Sequence, residues 1–285
     1  MRSPCSQEVR LFLGCVAFFF ASNSLSYLLM NATWRTGPVL GIAFQVAWTS
    51  TIGAQAALHC IWCVLAPLPW GKRFLAGATS GLVLYAGVVV AWFVVPVVCG
   101  TAGGLDLIVV VPILFCLPLL LLAAQTPLWI MRFWFRWRIA HRDAPFSTFR
   151  PLGIGHLLLA MAAIAMALAA ARFAQSIGTS SRNENIGGLT VAALVIMVMS
   201  AITVLPALLA ALYARRLPLA LGLAFAGDAA VVVVYVAVLL ILGGGRLHWE
   251  MLVVMFVLAG GFFVTLITPM LIARRFGYRL LCGRG

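Results

Sequence analysis

The sequence predicts an all-α integral membrane protein of about eight transmembrane helices, and three observations lead there. The first is composition: 64% of the residues are apolar and the mean hydropathy is +1.12, where a soluble domain averages about half apolar residues. Too little polar surface remains to face water on all sides. The second is continuity. The apolar residues form runs of about 20 to 27 residues, roughly 30 to 40 Å as helix, without the alternation of a barrel strand. The third is charge sorting. Of nineteen Lys and Arg residues, fifteen fall in alternate gaps between the runs: Arg2 and Arg10, Lys72 and Arg73, Arg132 through Arg150, Arg215 and Arg216, and finally Arg274, Arg275, Arg279 and Arg284. Short loops keep positive charge in the cytoplasm, so the expected location is the cell (inner) membrane with both termini cytoplasmic.

Each run has its own justification. Leu11–Met30 follows Arg2 and Arg10 as a signal peptide would, but continues through Ser22 and Asn23 to a spanning length. The Leu-Phe-Leu-Gly before Cys15 lacks the preceding hydrophobic region of a lipoprotein cleavage site. Val39–Leu65 comes after the short gap Asn31–Pro38 and is the most polar run. Phe74–Val98 opens after Lys72-Arg73 and carries Gly77-Ala-Thr-Ser-Gly81, a GxxxG that permits close helix contact. Leu107–Ile130 ends in an arginine-rich aromatic segment. Leu152–Ala171, Leu189–Tyr213, Leu217–Leu242 and Met251–Ile272 complete the set. The longest gaps hold only about 15 to 20 residues, too few for a soluble domain, so any chemistry belongs within the bundle or at its rims.

The chain also repeats itself at an offset of about 140 residues. Val64-Leu65-Ala66-Pro67 leads to Lys72-Arg73 and a long run; Val204-Leu205-Pro206 leads to Arg215-Arg216 and another. Phe135-Arg136-Trp137-Arg138-Ile139 closes the fourth run, and Phe276-Gly277-Tyr278-Arg279-Leu280 the eighth. Four helices return the chain to its starting side. The expectation is therefore two parallel four-helix units, residues 1–143 and 144–285, related by an axis along the membrane normal.

Gln125-Thr-Pro-Leu-Trp129 followed by Arg132 and Phe-x-Trp-Arg-Ile resembles a helix end in multi-pass membrane proteins of planctomycetes. Phe146-Ser147 with Arg150, then Leu157-Leu158-Leu159-Ala160 and an Ala-rich helix ending at Arg172, is similar to the same proteins. Thr148 and Phe149 separate Ser147 from Arg150, a departure from their Phe-Ser-x-Arg spacing. The likeness covers roughly residues 40–172. That family has no established activity, so the resemblance implies architecture and no functional residues.

Asp228 is the sharpest candidate site. It stands about 11 residues into the seventh run, roughly 16 Å deep. A carboxylate there costs at least ~2.5 kcal/mol, so it faces an interior or a cavity. It is read either as a proton- or cation-binding acid or as a packing residue bonded to a neighbouring helix. His59, about 13 Å from the end of the second run, is at a similar depth and is its candidate partner. Around the second helix Gln45, Trp48, Thr49, Gln55, His59 and Cys63 fall within about 120° of one another, a stripe expected to turn away from lipid. A solute or cation site and a helix interface both account for it. Cys60 and Cys63 form a Cys-x-x-Cys, a spacing suited to thiol exchange or to two ligands of a larger metal site, but better read as two small apolar residues in packing. At the opposite rim, Asp106, His248 and Glu250 are a loose cation-binding candidate or plain loop polarity.

Arg132, Trp134, Arg136, Trp137 and Arg138 interleave guanidinium groups with rings, as expected for anchoring to anionic lipid headgroups. The net charge of +13 is spread over helix ends rather than gathered in a stripe, so nucleic acid is not an expected partner. There is no HExxH, no P-loop and no Asp-rich diphosphate motif. No catalytic residue, cofactor or resident metal is therefore expected, and protein partners stay open. The best mechanistic expectation is a proton- or cation-coupled small-solute transporter. The alternatives are a non-catalytic membrane scaffold or partner subunit and, more remotely, a membrane thiol oxidoreductase.

Overall fold

Proline punctuation sets the helix boundaries. In the computed structural model, which describes residues 4–66, 70–91, 107–141, 198, 200–214, 216–243 and 249–281, helix α1 spans Pro4–Thr36 and α2 spans Pro38–Leu65. Pro38 cannot continue α1, but its fixed φ suits the first position of α2. Ala66-Pro67 stops α2, and α3 runs Trp70–Val89. Helix α4 is Leu107–Trp134, and Ser200–Leu212 is helical as α5. Helix α6 is Leu217–Gly243, with Pro218 in its opening turn, and α7 is Trp249–Arg275, with Pro269 inside it.

Helix makes up 88% of the described residues; α2, α4, α6 and α7 fall on expected runs, whereas α1 extends beyond Leu11–Met30 at both ends and α3 ends before Val98. The expected run Leu152–Ala171 and the first part of Leu189–Tyr213 lie outside the described residues. Among the described residues, the segment long and apolar enough to cross a membrane is Val254–Arg275, of 22 residues. Val16–Ser26, Ser200–Leu212 and Leu217–Ala230 are apolar but shorter.

One element departs from the all-helical expectation. Strands β1 (Arg138–His141) and β2 (Tyr278–Leu281) pair antiparallel in a two-stranded ribbon. Each follows a helix through a left-handed residue: Arg136 at φ 53° after α4 and Gly277 at φ 87° after α7. Such a residue ends a helix and redirects the chain within a few positions. The hydrophobic pattern gave no sign of a ribbon because four-residue strands are too short to show a period of two.

The chain forms two compact units. One comprises Met1–Cys63, Leu68–Gly103 and Asp228–Thr268; the other comprises Val64–Pro67, Gly104–Gly227 and Pro269–Gly285. In the first, α1 lies along α3. They approach closely at Gly87, where an added Cβ would lie 3.2 Å from the Phe20 carbonyl oxygen and 3.3 Å from Asn23 Cβ. Small residues also bring α2 against α7: Gly261 leaves room for the Ser50 hydroxyl, and Gly53 for the Phe262 ring. In the second unit Leu128, Val204, Leu208, Ala211, Met270 and Leu280 are buried together with Leu65.

That second unit contains two similar fastenings. Arg132 of α4 donates to the carbonyl of Val64 at the end of α2. Arg274 of α7 donates to the carbonyls of Ala211 at 2.8 Å and Ala214 at 2.9 Å, at the end of α5. The last carbonyls of a helix have no partner within it and carry partial negative charge, so a guanidinium is a strong match.

Candidate functional site

Polarity is distributed inside out. Phe18, Val39, Leu75, Leu82, Leu223 and Val264 are exposed on the helices, whereas Asn23, Ser26, Ser50, Gln55, Ser80 and Asp228 are buried. In water that arrangement is costly; against lipid it is the ordinary one.

Asp228 is the acid at the centre of this pattern. Its neighbours along α6 are small or apolar, from Ala224 to the valines beyond Ala230. The side chain is 6% exposed, and its Oδ2 is buried without a hydrogen-bond partner. A buried acceptor left unsatisfied costs about 1–3 kcal/mol. A proton, a cation or a substrate N–H at that oxygen would remove the cost. Asp228 therefore carries a buried acceptor that no described group satisfies.

The structure does not join Asp228 to His59. The imidazole is held by two other groups: its Nδ1 lies 3.2 Å from Ser80 Oγ and its Nε2 lies 3.4 Å from Cys63 Sγ. Ser80 Oγ also donates to the Gly77 carbonyl at 3.1 Å. With that proton committed, Ser80 accepts from Nδ1–H, which leaves Nε2 as acceptor for the Cys63 thiol. The GxxxG of α3 is the seat of this cluster. An added Cβ would lie 2.5 Å from Cys63 Sγ at Gly77 and 3.2 Å from the His59 ring at Gly81. His59 is thus a satisfied side chain at a tight helix crossing.

The polar stripe of α2 divides. Gln55 is buried and paired with Asn23 of α1 by two side-chain bonds, at 2.9 and 3.3 Å. Gln45 and Thr49 are exposed, and Thr49 Oγ1 donates to the Gln45 carbonyl at 2.8 Å. A 28-residue helix turns nearly eight times, so a 120° stripe meets different neighbours along its length. Cys60 is buried, Cys63 is half-buried, and the two are not joined in a disulfide. Among the described residues no group of three or more His, Cys, Asp or Glu side chains could hold a metal ion. Asp106 and His248 lie outside the described residues, and Glu250 stands in the first turn of α7.

The arginine–aromatic segment also divides. Trp134 is 80% exposed, and Arg136 is exposed, whereas Trp137 is buried. Arg132 is occupied with Val64, and Arg138 is half-buried in β1. Arg73 is buried, whereas its neighbour Lys72 is exposed. Sequence reasoning missed Ser80, Asn23 as the partner of Gln55, and Arg274 as a fastening. Arg274 was detectable as the counterpart of Arg132, but the partner of a lone Ser or Asn within an apolar run cannot be read without the fold. Comparison of the chain with family models, curated proteins and solved structures returned no match.

Proposed function

We propose that the chain is a multi-pass membrane protein of eight helices, both termini cytoplasmic, that carries a proton or cation together with a small solute and uses Asp228 as the ion site. The unsatisfied Oδ2 of Asp228 carries this reading: a buried acid with unused acceptor capacity needs a guest, and α6 offers none of its own. The apolar exterior and polar interior support lipid as the solvent. Two parallel units are supported by the fastenings. Thr126-Pro127, Ile130 and Arg132 recur 142 residues later as Thr268-Pro269, Ile272 and Arg274. Both threonines bond one turn back, Thr126 to the Leu122 carbonyl and Thr268 to that of Val264.

A second reading, the non-catalytic scaffold, draws on the other polar groups. The Asn23–Gln55 pair and the Ser80–His59–Cys63 chain satisfy one another, as packing residues do. The two readings part at Asp228. In a cysteine-free protein, Ala224→Cys places a thiol one turn before the acid. Labelling by a small membrane-impermeant maleimide from one face means that water reaches this level, as transport requires. A folded protein that labels from neither face makes Asp228 a packing residue. Proteoliposomes loaded with a pH-sensitive dye give the complementary test: transport predicts that Asp228→Asn is well expressed but abolishes proton flux, and the scaffold predicts altered expression or assembly alone.

A further inference from the structure

Helices α2 and α3 cross on a short polar chain that the ion site does not use. Cys63 Sγ lies 3.4 Å from His59 Nε2, and His59 Nδ1 lies 3.2 Å from Ser80 Oγ. Ser80 is buried, while His59 and Cys63 are half-buried. The α3 backbone decides where the protons sit. Ser80 donates its own proton to the Gly77 carbonyl, so Nδ1 carries the ring proton and the lone pair of Nε2 faces sulfur. Packing alone would be met equally by the opposite tautomer, with Nε2–H toward the thiol. Only the tautomer found here gives that thiol a base.

A thiol becomes an effective nucleophile when a base takes its proton and a third group orients that base. Cys63, His59 and Ser80 stand in that order. A cation is also at hand: Arg73, in the first turn of α3, interacts electrostatically with Cys63. It offsets the negative charge that develops on sulfur during attack. Gly77 and Gly81 admit the thiol and the ring this close to α3, and a Cβ at either position would crowd them. Cys60, three residues earlier, is buried, so Cys63 is the thiol of the pair that a reagent can reach.

The place of the thiol selects its reagent. Cys63 stands two residues before the end of α2, at the end of its run nearer Lys72 and Arg73. Leu75 and Leu82 of α3 are exposed, as lipid-facing side chains are. A long-chain thioester buries its chain in the bilayer and keeps its polar head at the interface. Thioester exchange needs a thiol and a base, and no oxidant. We propose that Cys63 takes a long-chain acyl group from a fatty acyl thioester, with His59 as its base and Ser80 as the positioning residue. The Cys63 S–H bond breaks as its proton passes to Nε2, and sulfur attacks the thioester carbonyl. The bond from that carbonyl to the donor's sulfur then breaks, and the departing thiolate takes the proton from the imidazolium. Cys63 is left as a thioester whose chain lies in lipid. The site rests on the membrane reading but not on transport.

Purified full-length protein in detergent, given palmitoyl-coenzyme A, tests it by intact mass and peptide mapping. The expected product is one acyl chain per protein, on Cys63 and released by neutral hydroxylamine. His59→Gln should slow its formation about a hundredfold or more, the usual contribution of a general base. Cys60→Ser should leave it unchanged. The pH profile separates a base from a packing residue. With His59 present the rate should be nearly level across neutral pH. In His59→Gln it should rise about tenfold per pH unit, with the thiolate fraction. Ser80→Ala should slow the reaction less and move its profile toward that of His59→Gln. No adduct on folded wild-type protein, an adduct on another cysteine, or equal rates in wild type and His59→Gln would each overturn the proposal. Acetyl-coenzyme A tests the chain: a reaction as fast as with the palmitoyl donor would overturn the choice of a fatty acyl group. Unfolding temperature identifies a variant that has lost its fold. The wild-type profile then decides alone, and a rise of about tenfold per pH unit counts against the site. Acylation through His59 in a protein without proton flux would defeat the transport reading and leave this site standing.

Discussion

The ends of α4 and α7 solve one problem with different side chains. Both helices present an arginine to the carbonyls of another helix, both turn through a left-handed residue, and both deliver a strand to the same ribbon. Yet the left-handed residue is Arg136 in one and Gly277 in the other. The difference teaches what the turn demands. Its backbone conformation is required in both places, and the side chain there is chosen by what stands over it. Gly277 has His141 above it, close enough that an added Cβ would lie 2.8 Å from Nε2. Arg136 is exposed, so a long side chain is tolerated at the price of a strained backbone.

The largest expected effect breaks the comparison at its arginines. Arg274→Leu removes donors to two carbonyls and should destabilise the protein by about 3 kcal/mol or more, taking each charge-assisted bond at ~1.5–3 kcal/mol. Arg132→Leu should act in the same direction and at a different place, freeing the end of α2 rather than that of α5. Thermal unfolding in detergent gives the magnitudes. Thiol labelling at single cysteines placed at Ala66 and Ala214 tells which end has loosened. If Arg274→Leu unfolds at the wild-type temperature, the fastenings are not structural.

Next comes the left-handed position of the second copy. Gly277→Ala meets both a backbone penalty of about 1–2 kcal/mol and the crowding against His141. A companion His141→Ala should recover the crowding part only. A double variant fully restored to the His141→Ala level would mean that the backbone there adapts freely.

The buried amides of the first unit offer a contrast between removing one partner and removing both. Gln55→Leu leaves Asn23 unsatisfied and should cost about 1–3 kcal/mol, whereas Gln55→Leu with Asn23→Leu should lose less than either single change. A double variant that is worse than both singles would show that the pair is needed for more than mutual satisfaction.

What the sequence disclosed divides along physical lines. Long-range periodicity and proline placement are properties of consecutive residues, so α2, α4, α6 and α7 were legible almost to their ends. Asp228 was legible because a lone acid among valines is anomalous wherever the chain folds. Pairings were not. His59 shares a depth with Asp228, but depth is one coordinate of three, and the GxxxG of α3 placed Ser80 beside it instead. Arg132 and Arg138 look alike in sequence, yet one fastens a helix end and the other lies in a strand. Only the helix termination between them, at Arg136, separates those roles.

The smallest predicted effect sharpens that point. Arg136→Gly gives the first copy the residue that the second already has. Glycine adopts the left-handed conformation without the ~1–2 kcal/mol that a side chain costs there, but it also gains freedom in the unfolded chain. The net change should be a stabilisation of less than about 1 kcal/mol, read as a small rise in unfolding temperature. Two outcomes bear on the comparison. A rise means the turn selects the backbone and Arg136 is kept for what its charge does at the surface. A clear fall means that the Arg136 side chain itself holds the turn, and the two ends are alike in shape but not in how that shape is maintained.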